Sequence, residues 1–291
     1  MLTLIISICC SVAVSVLLKI ARSKQIDVVQ AIAFNYVMAG SLTVILLRPD
    51  PISLLNPTTP YWVVIALGLL LPSIFLVMAK AVQQAGIVLS DAAQRLSLII
   101  PLIAAVVIFG EAIHGGKMLG IALGLSALIC LSLSSQHKTK QYTSTATLPS
   151  PPNTSSTVWL IAVWLGFGII DVLFKQLSKS GAGFSSSLLV TFILAGILLF
   201  SWLVFKKTQW KQRSIVAGLL LGLLNFGNIY FYIRAHQQFP ENPTLVFTTM
   251  NIGVITLGTL VGAGFFKEKL SGFSLLGVGL ALCAILVLVL L

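Results

Sequence analysis

A chain of 291 residues with 57% hydrophobic and only 9% charged residues is not a water-soluble globule, because a soluble domain carries about 25% charged residues and cannot hide so much apolar surface. The net charge of +11 raises nucleic acid as a partner, but Lys206, Lys207, Lys211 and Arg213 form a short connector with no basic domain to hold them. Basic loops between apolar runs report membrane orientation, so membrane lipid, not nucleic acid, is the expected surrounding.

A spanning helix needs about 20 mostly apolar residues. Ten such runs follow one another at 2–20, 28–47, 61–82, 88–109, 114–133, 158–178, 185–205, 214–234, 244–266 and 272–291, leaving no room for a soluble domain. An outer-membrane barrel would alternate apolar and polar residues, whereas stretches such as Leu96 to Ile103 are apolar on all sides. The spacing therefore predicts an all-α membrane protein of ten transmembrane helices. The first run has no basic residue before it and has a counterpart later in the chain, so it reads as a structural helix and not as a cleaved signal. Cys9, Cys10, Cys130 and Cys283 all lie inside apolar runs and read as packing residues.

In chain order, the second run carries Asn35 and Tyr36, and the third is interrupted by Pro72. The fourth holds Asp91, Gln94 and Arg95 at i, i+3 and i+4, on one face, with Pro101 further along to bend it. A charge near the bilayer centre costs about 2.5–3.5 kcal/mol on insertion scales and so faces a cavity or a partner. Glu111 and Glu268 stand where the fifth and tenth runs begin, where a carboxylate suits the helix dipole. Gly116, Gly120 and Gly124 make a small-residue ridge on the fifth run. It either packs within the protomer or joins a second copy in a homodimer.

The polar stretch 134–157, rich in Ser, Thr and Pro, reads as a flexible linker. Beyond it, Trp164, Gly168, Asp171 and Lys175 follow helical spacing down one face of the sixth run. The eighth run offers Asn225, Asn228 and Tyr232, and the ninth Thr248 and Asn251. Amides and hydroxyls either line a cavity or join helices to one another. Asp91–Arg95 and Asp171–Lys175 could equally be i,i+4 ion pairs that reduce the cost of insertion.

The same marks recur on both sides of the linker. Lys19 matches Lys175 and Ala39-Gly40 matches Ala195-Gly196, both 156 residues on; Lys80 with Gln83-Gln84 matches Arg234 with Gln237-Gln238, 154 on. Phe109-x-Glu111 followed by Gly115, Leu119, Gly120 and Leu123 matches Phe266-x-Glu268 followed by Gly272, Leu276, Gly277 and Leu280, 157 on. Residues 1–133 and 158–291 are thus expected to be two copies of a five-helix repeat. Five crossings per copy put the second copy into the membrane from the opposite face, which is the inverted plan of secondary transporters. The copies differ in their charges: Asp91 corresponds to Thr248, and Asp171 to Ser15.

Ten helices, a linker after the fifth and the twice-used Phe-x-Glu, spacer, Gly-x-x-Leu pattern resemble the drug/metabolite transporter superfamily, in chains with two EamA-type domains. The resemblance implies a central cavity from runs 1–4 and 6–9, and cargo among amino acids, other metabolites, nucleotide sugars and drugs. It also implies both termini in the cytoplasm.

The expected function is secondary transport of a small polar metabolite, an amino acid or similar zwitterion, with Arg95 on a carboxylate and Asp171 on an amino group. A lipid-linked sugar or anionic headgroup is the rival cargo, and a noncatalytic membrane subunit a third reading. No GxxxxGK[ST], HExxH or GxSxG motif occurs, and His114, His137 and His236 lie in or beside connectors, so neither an enzyme nor a cofactor is expected. The expected site is a multi-pass position in a bacterial inner membrane.

The charges oppose the orientation that the resemblance implies. Odd-numbered connectors carry eleven Lys and Arg residues, among them Lys24 and Arg213, and even-numbered connectors carry Arg48, Lys117, Lys179 and Arg234. Basic loops stay in the cytoplasm, which places both termini outside and the polar linker inside. In a cysteine-free background, an impermeant thiol reagent applied to intact cells should label a cysteine added after Leu291 and spare one at Thr147; the reverse pattern restores cytoplasmic termini.

Overall fold

A computed structural model describes residues 1–24, 26–55, 60–112, 114–142, 154–180, 183–265 and 272–290. Among the described residues there is no strand, and eleven α-helices follow in chain order: α1 Leu2–Ser23, α2 Val28–Leu42, α3 Tyr61–Ala85, α4 Ile87–Leu96, α5 Ile99–Val107, α6 Gly115–Tyr142, α7 Thr154–Ser178, α8 Phe184–Phe205, α9 Gln212–Gln238, α10 Pro243–Phe265 and α11 Gly272–Leu290. Among the described residues nine spans are long and apolar enough to cross a bilayer, with α4 and α5 sharing one of them, and the Gly115–Leu131 part of α6 is a shorter apolar helix.

Local chemistry sets the boundaries. Asp27 caps α2, its Oδ1 accepting from Val29 N–H at 3.0 Å and Gln30 N–H at 3.2 Å, which satisfies two donors that the first turn of a helix leaves without partners. Gly86, between α3 and α4, and Gly110, after α5, hold φ of +84° and +69°, left-handed angles that glycine adopts without a Cβ penalty. The polar stretch after Ser134 stays helical to Tyr142, and α7 starts at Thr154, inside the stretch expected as linker. No proline interrupts the first part, and Gln, Lys and Ser are tolerated in helices. Residues 143–153 lie outside the described residues.

The helices gather into two compact units, residues 1–73 with 173–238 and residues 74–172 with 239–291. Each unit draws on both sides of the polar stretch, so neither coincides with one sequence copy.

In the first unit α2 packs on α9 and α8, and α1 on α9. A Cβ on Gly218 would lie 2.5 Å from the Ala31 carbonyl oxygen, and one on Gly222 2.5 Å from that of Asn35. Both positions require glycine for the two backbones to approach this closely. A Cβ on Gly222 would also lie 2.6 Å from Met38 Cβ, while one on Gly68 of α3 would lie 2.5 Å from Leu194 of α8. Gly222 stands 154 residues beyond Gly68, and Leu194 stands 156 beyond Met38. One contact is therefore made twice with the copies exchanging roles. Tyr36 and Phe192, also 156 apart, pack on each other with ring centroids 6.2 Å apart, as equivalents do on either side of a two-fold axis.

In the second unit α6 pairs along its length with α11. A Cβ on Gly120 would lie 2.6 Å from Leu288 Cγ, and one on Gly277 2.7 Å from Leu131 Cγ. Gly277 follows Gly120, and Leu288 follows Leu131, by the same 157 residues. Since Gly120 faces Leu288 and Leu131 faces Gly277, the two helices run antiparallel, as inversion of the repeat demands. Gly124 faces Ile252 and Thr248, so at Gly120 and Gly124 the glycine ridge meets side chains of its own chain.

Glycine at the α2–α9 crossing should be indispensable. Gly222→Ala is expected to lower the detergent-solubilised melting temperature by several degrees, as overpacking of about 1–3 kcal/mol does. Gly279→Ala, where a Cβ meets nothing within 4 Å, should leave it unchanged.

Candidate functional site

The break between α4 and α5 begins the site in the second unit. Pro101 has no N–H to offer the Ser97 carbonyl, and Ile100 N–H takes that acceptor instead at 3.0 Å. The Leu96 carbonyl is met by the Trp164 indole, whose Nε1 donates at 3.0 Å. A Cβ on Gly168 would sit 2.5 Å from Ile100 Cδ1, so the same face of α7 lies directly on α5. Trp164 is half-buried and ties α7 to the end of α4.

One turn before the break, Arg95 Nε donates to Asp91 Oδ2 at 2.7 Å, with the side chains 26% and 32% exposed. Gln94 shares their turn and is half-buried, its carbonyl accepting from Ser97 Oγ at 2.5 Å. Further along α7, Asp171 Oδ2 accepts from Asn251 Nδ2 of α10 at 3.4 Å, and the same amide donates to the Phe247 carbonyl at 3.1 Å. Thr248 is buried, and its methyl group would lie 3.1 Å from a Cβ on Gly124. The second unit thus gathers Asp91, Gln94, Arg95, Trp164, Asp171, Thr248 and Asn251.

The remaining candidates belong to the first unit. Asn35 and Tyr36 are 1% and 2% exposed, and neither Asn35 side-chain atom nor the Tyr36 hydroxyl has a hydrogen-bond partner. Asn228 joins helices, its side-chain and backbone oxygens both accepting from Ser7 Oγ at 2.9 Å. Asn225 is half-buried one turn earlier. Tyr232 is buried edge-on between Phe174 at 6.2 Å and His236 at 4.8 Å. Lys175 is 2% exposed in the last turn of α7.

His236 lies in the last turn of α9, beside a connector as expected from the sequence, and is 1% exposed there. Its i,i+4 spacing from Tyr232 was the signal available for that burial. Gln30, not singled out from sequence, is fully buried and donates to Asp27 Oδ2 at 3.2 Å and the Gln209 carbonyl at 2.7 Å, while accepting from Lys211 N–H at 3.0 Å. Among the described residues no cluster of three His, Cys, Asp or Glu side chains suits a metal ion, and all four cysteines are free thiols.

Glu111 serves a helix other than the one it precedes. Its Oε2 accepts from Thr244 N–H, in the first turn of α10, at 2.8 Å. Its Oε1 accepts from Lys117 Nζ at 3.0 Å, and Lys117 also donates to Asn242 Oδ1 at 2.6 Å. Its repeat partner Glu268 lies outside the described residues.

Charged and amide groups set within ten apolar crossings, in two copies related by inversion, define a multi-pass membrane protein. The family model described as EamA-like transporter family matches residues 1–133 and 154–290, and the chain belongs to that family. It is 49% identical over 289 residues to a Haemophilus influenzae protein described as uncharacterized, covering 97% of this chain and 95% of that one. A solved structure titled only as a crystal structure of a protein superposes with a TM-score of 0.75 at 13% identity, covering 99% of this chain and 96% of the other. That likeness is one of fold.

Two ion pairs of the second unit, Asp91–Arg95 and Glu111–Lys117, differ in burial, with Glu111 only 1% exposed beside Lys117 at 14%. Removing one partner of a buried pair costs about 3–5 kcal/mol, against about 1 kcal/mol for an exposed one. Lys117→Met should therefore lower the melting temperature of the purified protein clearly more than Arg95→Met does.

Proposed function

We propose that this chain is a secondary transporter that carries a small zwitterion, an amino acid or a molecule like it, by alternating access. The observation that carries the reading is the set of charges on α4 and α7: an Asp91–Arg95 pair about a quarter to a third exposed, and Asp171 on the Asn251 amide. Charges this costly inside apolar spans earn retention by binding or by proton coupling, and membership of a transporter family agrees. In this reading a substrate carboxylate takes the guanidinium of Arg95 from Asp91, and Asp171 receives the ammonium group. An aspartate released from its partner is then free to bind the proton that couples transport. The exchange of helix contacts between the two copies supports alternating access, since equivalent halves can trade roles between inward-open and outward-open states.

In liposomes containing the purified protein, flux of at least one amino acid or related zwitterion should exceed that of empty vesicles without ATP. Arg95→Ala and Asp171→Asn should each reduce that flux at least about tenfold, the effect of losing roughly one charge-assisted contact, at unchanged protein content. Glu268→Gln should retain it. A folded preparation that moves nothing across a broad metabolite panel would sink the reading, and normal transport by Arg95→Ala would reduce the Asp91–Arg95 pair to a structural one.

A further inference from the structure

On the first unit, a groove of about 740 Å³ runs between the end of α1 and the start of α9, lined by Leu17, Ile20, Ile26, Val216 and Leu220 together with Lys24 and Arg213. None of the candidate cargo residues lines it. Its size falls in the range of about 300–1,000 Å³ typical of small-molecule sites. No carboxylate and no hydroxyl belongs to the lining, whose uncharged polar side chain is Gln212, so the groove offers an ammonium group no anionic partner. Its chemistry is an apolar wall with two cations where the chain leaves α1 and enters α9. That combination complements an amphiphile with an anionic head.

The cationic end is built. Lys24 N–H donates to the Ile20 carbonyl at 3.1 Å and Ile26 N–H to that of Ala21 at 3.0 Å, which fixes the turn after α1. Asp27 N–H donates to Ser214 Oγ at 3.1 Å, and the fully buried Gln30 holds the Gln209 carbonyl and Lys211 N–H. Arg213 is thereby set between two anchored residues. The apolar wall is open at its side, with Ile20, Val216 and Leu220 at 38%, 52% and 51% exposure, as lateral entry of an acyl chain requires.

The cations are a feature of one copy. The residue 156 beyond Lys24 is Ser180, and the residue 154 before Arg213 is Thr59. Both basic residues belong to odd-numbered connectors, which the charge distribution assigns to the cytoplasmic face, where the leaflet carries anionic lipid.

We propose that this groove binds one anionic phospholipid, an acyl chain along the apolar wall and the headgroup phosphate on Lys24 and Arg213.

Native mass spectrometry of the detergent-purified protein, titrated with phosphatidylglycerol, with phosphatidylcholine of the same chains and with chainless glycerol phosphate, tests this. Phosphatidylglycerol alone should be retained as a tight single adduct. The double variant Lys24→Gln/Arg213→Gln should weaken it roughly tenfold to thirtyfold, since a basic residue near an anionic headgroup contributes about a factor of five. Leu220→Trp, which fills the wall without altering charge, should weaken it as well, while Lys206→Gln/Lys207→Gln should stay within about twofold. Equal retention of phosphatidylcholine, equal binding of glycerol phosphate, or equal loss in the Lys206/Lys207 variant would each overturn the proposal, the last by reducing it to diffuse attraction to a basic surface.

Discussion

Inside a bilayer, apolar helices gain little by leaving lipid for one another, so their association depends on how closely the backbones can approach. In this chain that constraint is met by glycine. Gly218 and Gly222 let α9 rest on the carbonyls of Ala31 and Asn35, and Gly120 and Gly277 admit Leu288 and Leu131 between α6 and α11. Because the Gly120–Leu288 contact recurs as Gly277–Leu131 with the copies exchanging roles, the duplication is a property of the packing as well as of the sequence.

Polar chemistry does not follow the same symmetry. Asp91 and Arg95 form an ion pair on α4, whereas α10 carries Thr248 and Ile252 at the equivalent positions and uses the amide of Asn251, the equivalent of Gln94, to hold Asp171. Lys117, which joins Glu111 to Asn242, corresponds to Ser274, and Asn242 to Ala85. The two copies thus share a framework of small and large apolar residues and divide the charged work between them.

Much of the framework was legible in the sequence because bilayer thickness and the absence of water impose a simple length and composition rule on spans. The repeat could be read from glycines and glutamates at constant offsets, since those residues mark backbone contacts and helix ends. The candidate site was less legible. Spacing placed Asp91 and Arg95 on one face, but the partner of Trp164 is a carbonyl freed by Pro101 one turn away, which depends on which acceptor Ile100 takes. Gln30 escaped notice because its partners, Gln209 and Lys211, are distant in the chain. Glu111 was correctly associated with a helix start, yet the helix is α10, some 130 residues further on, because only tertiary packing decides which N–H groups a carboxylate meets.

The interleaving of the units has a consequence for biosynthesis. α2 leaves the ribosome long before α9, and 187 residues separate Asn35 from the Gly222 that packs against it. At translation rates of about 5–20 residues per second, α1 and α2 reside in the membrane for roughly ten to forty seconds before their main partner exists. During that interval lipid, the insertion machinery or transient neighbours must cover the surface later taken by α9. Truncated chains that end before α9 would expose that surface permanently, which makes the second half of the gene the point at which membrane quality control decides the fate of the first.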